Sequence, residues 1–309
     1  MRRTLQYAAV TRDEGNAADG RFKTASSWRF VIGILNDAAG LISQRLGDEL
    51  QNLTIERLVI GLFFTGVKLS NGQGGVCYTP VKEIPEAVCC PSSAGTIFNP
   101  VKIEHLKAQD LISSFPSQEP IKTAVAIATL NALSATCWAH GLKGPYEIQR
   151  NVDAQDVVRM PEGSSVAVVG ALVPTLRALK RRGGTWWVIE KDPKTLKDDE
   201  KPHYVSTENS DDIIRRAETL IITGATLVTH TLEKILQAAG PNAEVVVMGP
   251  TAGFLPEPLF ERGVRVVGGV WVKEPDRLLD VLAAGGSGYH FFDTLADRIV
   301  IEKESNQAV

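Results

Sequence analysis

From residue 165 onward the chain alternates short Val/Ile-rich runs with helix-type segments, and this alternation limits the fold more than any other feature. The apolar runs lie at 165–169, 185–190, 219–223, 245–248 and 264–272, with amphipathic stretches at 174–182, 211–217 and 227–239 between them. Strands that are apolar throughout are buried on both faces, and strands separated by helices pair in parallel. The expected architecture is α/β, with a Rossmann-like parallel sheet whose ligands sit at the carboxyl ends of the strands. The stretch EVVVMGPTAGFLPEPLFERGVRVVGGVWV carries the most information. Its first strand stops at Gly249-Pro250-Thr251, and a short helix set by Pro256 and Pro258 leads to a second apolar strand. That turn brings bare backbone and a hydroxyl to the ligand edge, although the same residues also suit an ordinary β-to-α connection.

The first half has a different texture. Leu35, Ala38, Ala39, Ile42, Leu46 and Leu50 recur at helical spacing within 30–50. Residues 55–68 and 75–79 read as strands separated by a glycine-rich turn at 70–75, and 103–113 and 121–139 as helices. The second of these helices is apolar nearly all round and should be buried. A strand pair followed by packed helices is an α+β unit. The expected organisation is a partly disordered lead-in at 1–28, an α+β domain at 29–142, a Gly/Pro-rich linker at 143–158 and the Rossmann-like domain at 159–309.

Composition narrows the function classes. A net charge of -3 gives no electrostatic reason to expect nucleic acid or an anionic membrane surface. The longest apolar stretch, 124–139, is interrupted by Thr129, Asn131, Ser134 and Thr136, so no membrane span is expected. The arginine-bearing start has no apolar core followed by a cleavage site, which points to the cytoplasm. Cys77, Cys89, Cys90 and Cys137 form neither a disulfide framework nor a zinc-ribbon spacing. Buried thiols are the default, with a soft-metal site drawing on Cys77 or Cys89 and Cys90 as the alternative. Trp271 and Trp186-Trp187 lie in strands, where they serve either the core or an edge that forms a homo-oligomer.

Three strand-end turns are candidates for ligand binding. Gly170 closes the first strand, and Glu190 closes the next about twenty residues later, where a ribose-binding acid sits in dinucleotide folds. Leu172 stands where the second glycine of G-x-G-x-x-G would be needed, so conventional NAD or FAD binding is not expected. Glu190 could still hold the ribose of a nucleoside cofactor, or simply cap a strand in solvent. Thr223-Gly224-Ala225-Thr226 offers hydroxyls and helix-start N–H groups to an anion, or serves only as a cap. In the first half, Thr65-Gly66 and the Gly74-Gly75 loop suggest close approach by another backbone or a ligand. Asn131 is a polar group in a buried-type helix, where a hydrogen bond tying helix to loop is the plainer explanation. His230 is a lone helical histidine, and no hydrolase, phosphate-loop or zinc motif is present.

Read in order, these features resemble a family. They are Thr65-Gly66-Val67 with its glycine loop, Asn131-Ala132, Gly170 with Pro174, Glu190 with Pro193, Thr223-Gly224-Ala225-Thr226, and the block from Gly249 to Gly268. Together they are similar to the two-domain putative heavy-metal chelation family, from about Leu35 to the C-terminus. The resemblance implies an N-terminal domain like that of enolase, a C-terminal Rossmann-like domain, and a cleft between them. It departs at Thr229-His230, where an Asn-Gly pair is expected, and at Lys273-Glu274, where an acidic residue is expected directly after the strand.

The function expected on these grounds is binding of a divalent or heavy metal ion, or a small metal-chelating ligand, in that cleft. Thr65, Gly66, Gly74, Gly75, Asn131, Gly170, Glu190, Thr223, Gly224, Thr226, Gly249, Pro250 and Thr251 would line it, with metal contact from His230, Glu190 or Cys77. The alternatives are a transferase-like enzyme using a nucleoside cofactor such as S-adenosylmethionine, and a non-catalytic accessory or assembly protein.

Overall fold

The structure is a computed structural model that describes residues 33–83, 99–113, 115 and 119–303. The lead-in and Cys89-Cys90 lie outside the described residues. The first part of the chain runs α1 (Ile34–Leu46), α2 (Asp48–Asn52), β1 (Ile55–Ile60), β2 (Phe64–Leu69), β3 (Gly74–Tyr78), α3 (Ala108–Ile112) and α4 (Pro120–Ala139). Gly47, at φ 52°, breaks the helix expected across 30–50 into α1 and α2. The strand expected at 55–68 is a hairpin, because the chain reverses at Gly61, whose N–H donates to Phe64 O at 3.0 Å. β1, β2 and β3 form an antiparallel sheet in sequence order.

α4 is buried along almost its whole length, from Ile121 to Trp138. One side lies on β2 and β3, while other sides meet α1 and α3. This explains its lack of a polar face. Three of its hydroxyls are satisfied within the helix: Thr129, Ser134 and Thr136 each donate to the carbonyl four residues earlier.

The second part runs β4 (Tyr146–Arg150), α5 (Ala154–Val157), β5 (Val166–Val169), α6 (Val173–Arg182), β6 (Trp186–Glu190), β7 (Tyr204–Ser206), α7 (Asp211–Arg216) and β8 (Thr219–Thr223). It continues through α8 (Ala225–Val228), α9 (Leu232–Ala238), β9 (Glu244–Met248), α10 (Glu257–Phe260), β10 (Val264–Val272), α11 (Pro275–Ala283) and β11 (Ala296–Lys303). These strands form one sheet in the order β4-β11-β10-β9-β8-β5-β6-β7. The six strands from β10 to β7 are parallel, the Rossmann-like core expected from the sequence. Alternate residues serve opposite faces. Val166, Val168, Ile221 and Val246 pack in one core cluster, and Ala167, Val169, Ile222 and Val247 in another.

The sheet is mixed rather than wholly parallel. β11 pairs antiparallel with both β10 and β4, so Tyr146–Arg150, within the stretch read as linker, is an edge strand. The helix expected at 227–239 is also interrupted: His230 has φ 54°, which an L-residue adopts only at a cost, and it separates α8 from α9. Trp186 is buried and stacks on His203, while Trp271 stacks on Trp138 with Arg150 over its ring.

Candidate functional site

Strand order reverses between β5 and β8, because the chain proceeds to β6 and β7 on one side and returns to build β8, β9 and β10 on the other. In open α/β sheets this switch point opens a crevice at the carboxyl ends of the strands. Here the switch point falls between Gly170 and Thr223. Gly170 has φ 92°, and a Cβ on it would lie 2.7 Å from Thr223 Cγ2. Backbone conformation and close approach therefore both require glycine. Gly224 N donates to Met248 O at 2.8 Å and Gly249 N to Gly268 O at 3.0 Å, so the Thr223 and Gly249 turns are each tied through the backbone to the neighbouring strand. Thr226 Oγ1 donates to Thr223 O at 2.7 Å, and Ala225 N reaches Thr223 Oγ1 at 3.4 Å. These hydroxyls hold the start of α8.

Glu190 is committed within the protein. Its Oε2 accepts from Ala171 N at 2.9 Å, and its Oε1 accepts from Lys191 N at 2.8 Å and Asp192 N at 3.2 Å. The carboxylate thus occupies an N–H of the first β-to-α turn, the turn that meets the pyrophosphate in dinucleotide folds. That arrangement counts against a ribose held by Glu190.

The first part of the chain packs beside the switch point on the β9 side. Tyr78 N donates to Thr251 Oγ1 at 3.0 Å. Asn131 Nδ2 faces Val76 O at 2.7 Å, Pro250 O at 3.1 Å and Thr251 O at 3.2 Å, so one amide gathers β3, α4 and the Gly249-Pro250-Thr251 turn. Gly75 lies flat on α4, where a Cβ would come within 2.2 Å of Ala128 O and 2.4 Å of Ala132 N. Gly66 and Gly74 are pressed by α11 and its approach: a Cβ would meet Leu279 Cδ2 at 2.6 Å in the first case and Val272 Cγ1 at 2.9 Å in the second. Thr65 is fully buried, with its hydroxyl 2.9 Å from that of Thr79. The glycine pattern of the first half therefore marks close packing.

The metal-ligand candidates are not brought together. Cys77 is fully buried, its Sγ lies 3.4 Å from Tyr78 O, and burial pushes its thiol well up, away from the thiolate that binds metals. His230 lines a small cavity of about 50 Å³ with Gly33, Leu35, Asn36, Phe115, Leu227 and Glu233. In the same region Glu233 Oε1 accepts from Ile34 N at the start of α1. Among the described residues, no group of three or more His, Cys, Asp or Glu side chains could hold a metal ion. These donors do not fit a resident ion.

Tyr78, Lys82, Glu83 and Asp192 stand near these strand ends and are not singled out by any sequence pattern. Half-buried Tyr78 has its phenol pushed up by burial, with the carboxylates of Glu83 and Glu190 adding and Lys82 opposing. Lys82 and Asp192 form an ion pair at 2.7 Å.

The fold defines an α/β protein with a Rossmann-like sheet and a smaller antiparallel sheet packed against it. Two family models match the chain: DUF4213 over residues 43–134 and DUF364 over 153–301, both described as "Putative heavy-metal chelation". The chain belongs to this two-part family. A DUF364-family protein of unknown function from Pyrococcus horikoshii is similar in structure, with TM-score 0.70 and 22% identity over 87% of this chain and 100% of that one. Another, from Desulfitobacterium hafniense, has TM-score 0.65 and 20% identity over 89% and 100%. An uncharacterized protein of Methanocaldococcus jannaschii is 22% identical over 59% of this chain and 67% of its own length. No described helix is long and apolar enough to cross a membrane.

Proposed function

We propose that the protein binds a small metal-carrying chelate, rather than a bare ion, in the crevice at the switch point. The observation that carries this reading is the side-by-side placement of the Gly170 and Thr223 turns at the reversal of strand order. The family description supplies the metal. The donor set favours a chelate, since Cys77 is an inaccessible thiol and both oxygens of Glu190 already accept backbone N–H groups. Bare backbone at Gly170 and Gly249 and the Tyr78 phenol suit a ligand that brings its own metal donors. The free thiols of Cys77 and Cys137 support a reducing compartment, in keeping with the cytoplasm.

Calorimetry with divalent and trivalent metals, each alone and each complexed by citrate or a catechol, tests the reading. A complex should bind at one site, with affinity reduced about tenfold or more by Gly170→Ala, a loss of about 1.4 kcal/mol. Tight stoichiometric binding of a bare ion, competed away by the chelators, would overturn it.

A further inference from the structure

Two ion pairs cross between the turn that follows β3 and the loop that follows β6. Lys82 Nζ lies 2.7 Å from Asp192 Oδ2, and Lys191 Nζ lies 3.5 Å from Glu83 Oε1. Chain neighbours Lys82-Glu83 therefore face chain neighbours Asp192-Lys191 with each charge opposite its complement. The hydrogen bond between Lys82 and Asp192 raises the ammonium and lowers the carboxyl, so both remain charged around neutrality.

The two segments are anchored at their roots on opposite sides of the switch point. Tyr78 N is held by Thr251 Oγ1 and Thr79 N by Phe63 O, whereas beyond them Val81 N and Glu83 N bond only two and three residues back, to Thr79 O and Pro80 O. Across the gap, Lys191 N and Asp192 N donate to Glu190 Oε1, and the other oxygen of Glu190 holds Ala171 N beside Gly170. A displacement of Asp192 is thus passed through one carboxylate to the turn at the switch point.

We propose that the Lys82–Asp192 and Glu83–Lys191 pairs form an electrostatic latch across the mouth of the crevice, whose release frees Glu190 and opens the approach to Gly170. This rests on the reading of the crevice as the ligand site. The lysines are largely exposed, at 61% for Lys82 and 77% for Lys191, so each pair is individually weak and screened by salt. Such a contact opens without disturbing the core, as a gate must. An anionic chelate arriving at the mouth would compete with Asp192 and Glu83 for the two lysines, which couples arrival to release.

Hydrogen exchange of the full chain without any ligand reads the latch independently of what binds. The amides of Val81, Lys82 and Glu83 and of Lys191, Asp192 and Lys194 should exchange about threefold faster or more in Lys82→Glu and in Asp192→Asn, while those of β8 do not change. Asn at 192 retains a side-chain oxygen for Lys194 N, which Asp192 Oδ1 accepts at 3.0 Å. Raising salt to about 0.5 M, where screening acts over a few Å, should speed these segments in the wild type and add little in the variants. Unchanged exchange in both variants, or an equal rise in β8, would overturn the latch. A latch that behaves as expected in a protein that binds no chelate would overturn only the reading of the ligand.

Discussion

The two walls of the proposed crevice are built from similar residues and do different things. On the β9 side, Gly75, Asn131 and Thr251 are locked: the glycine is flattened on α4, the amide spans three carbonyls, and the hydroxyl takes Tyr78 N. On the β5–β6 side, Gly170 and Glu190 are partly exposed at strand ends, where Gly170 N donates to Ile189 O and Glu190 accepts from Ala171 N and from the short loop after β6. The first wall fastens the small sheet to the large one. The second keeps part of its surface open to solvent. A glycine, threonine or asparagine at a strand end is thus as apt to be a joint as a contact, and what decides is which groups already occupy its polar atoms.

Substitutions on the two walls should separate stability from binding. The largest effect belongs to Gly75→Ala, which drives a methyl into the backbone of α4 and should cost about 3 kcal/mol in urea denaturation. Next comes Asn131→Ala, which leaves the carbonyls of Val76, Pro250 and Thr251 short of a donor and should cost about 2 kcal/mol. A variant at Asn131 that loses chelate binding at unchanged stability would break the distinction between the walls. Gly170→Ala should be milder for folding, about 1–2 kcal/mol for the positive φ, yet should lower affinity for the chelate more than either. If it lowers stability and leaves binding intact, the open wall is a joint as well.

The smallest effect concerns acid stability away from the crevice. Burial alone would raise the Asp297 carboxyl, but hydrogen bonds from Lys273 and Arg150 outweigh it and hold it below the usual carboxylate range. A folded-state pKa below the unfolded one contributes stability that is present above about pH 4 and lost as pH falls through the folded value. Asp297→Asn should therefore be less stable than wild type at neutral pH and closer to it in acid. Denaturation midpoints at several pH values show whether the gap narrows.

Much of the fold was legible because local rules sufficed. Continuous Val/Ile runs mark strands buried on both faces, and β8 and β10 begin and end where the pattern says. Less legible were the elements whose identity depends on partners: β4 and β7 are short and part polar, and β4 exists as a strand because β11 offers it an edge. The break at His230 and the reversal at Gly61 depend on backbone conformations that composition does not signal clearly. Within the candidate site, Gly170 and the Thr223 and Gly249 turns were readable as strand ends, whereas Tyr78, Lys82, Glu83 and Asp192 carry no motif and gain their place only through long-range contact.

The sequence by itself determined a parallel α/β sheet with glycine-rich turns at its carboxyl edge and a buried, apolar helix in the part before it. Those properties follow from hydropathy period and turn chemistry, which act over a few residues. Only the tertiary structure decided which turn residues are fastened and which are free. It also separated Cys77, Glu190 and His230 into a buried thiol, a carboxylate taken by backbone N–H groups, and the lining of a distinct small cavity. The physical reason is that the availability of a polar atom depends on every neighbour that could already hold it, and in this chain some of those neighbours come from segments more than a hundred residues away, as Asn131 and Thr251 show.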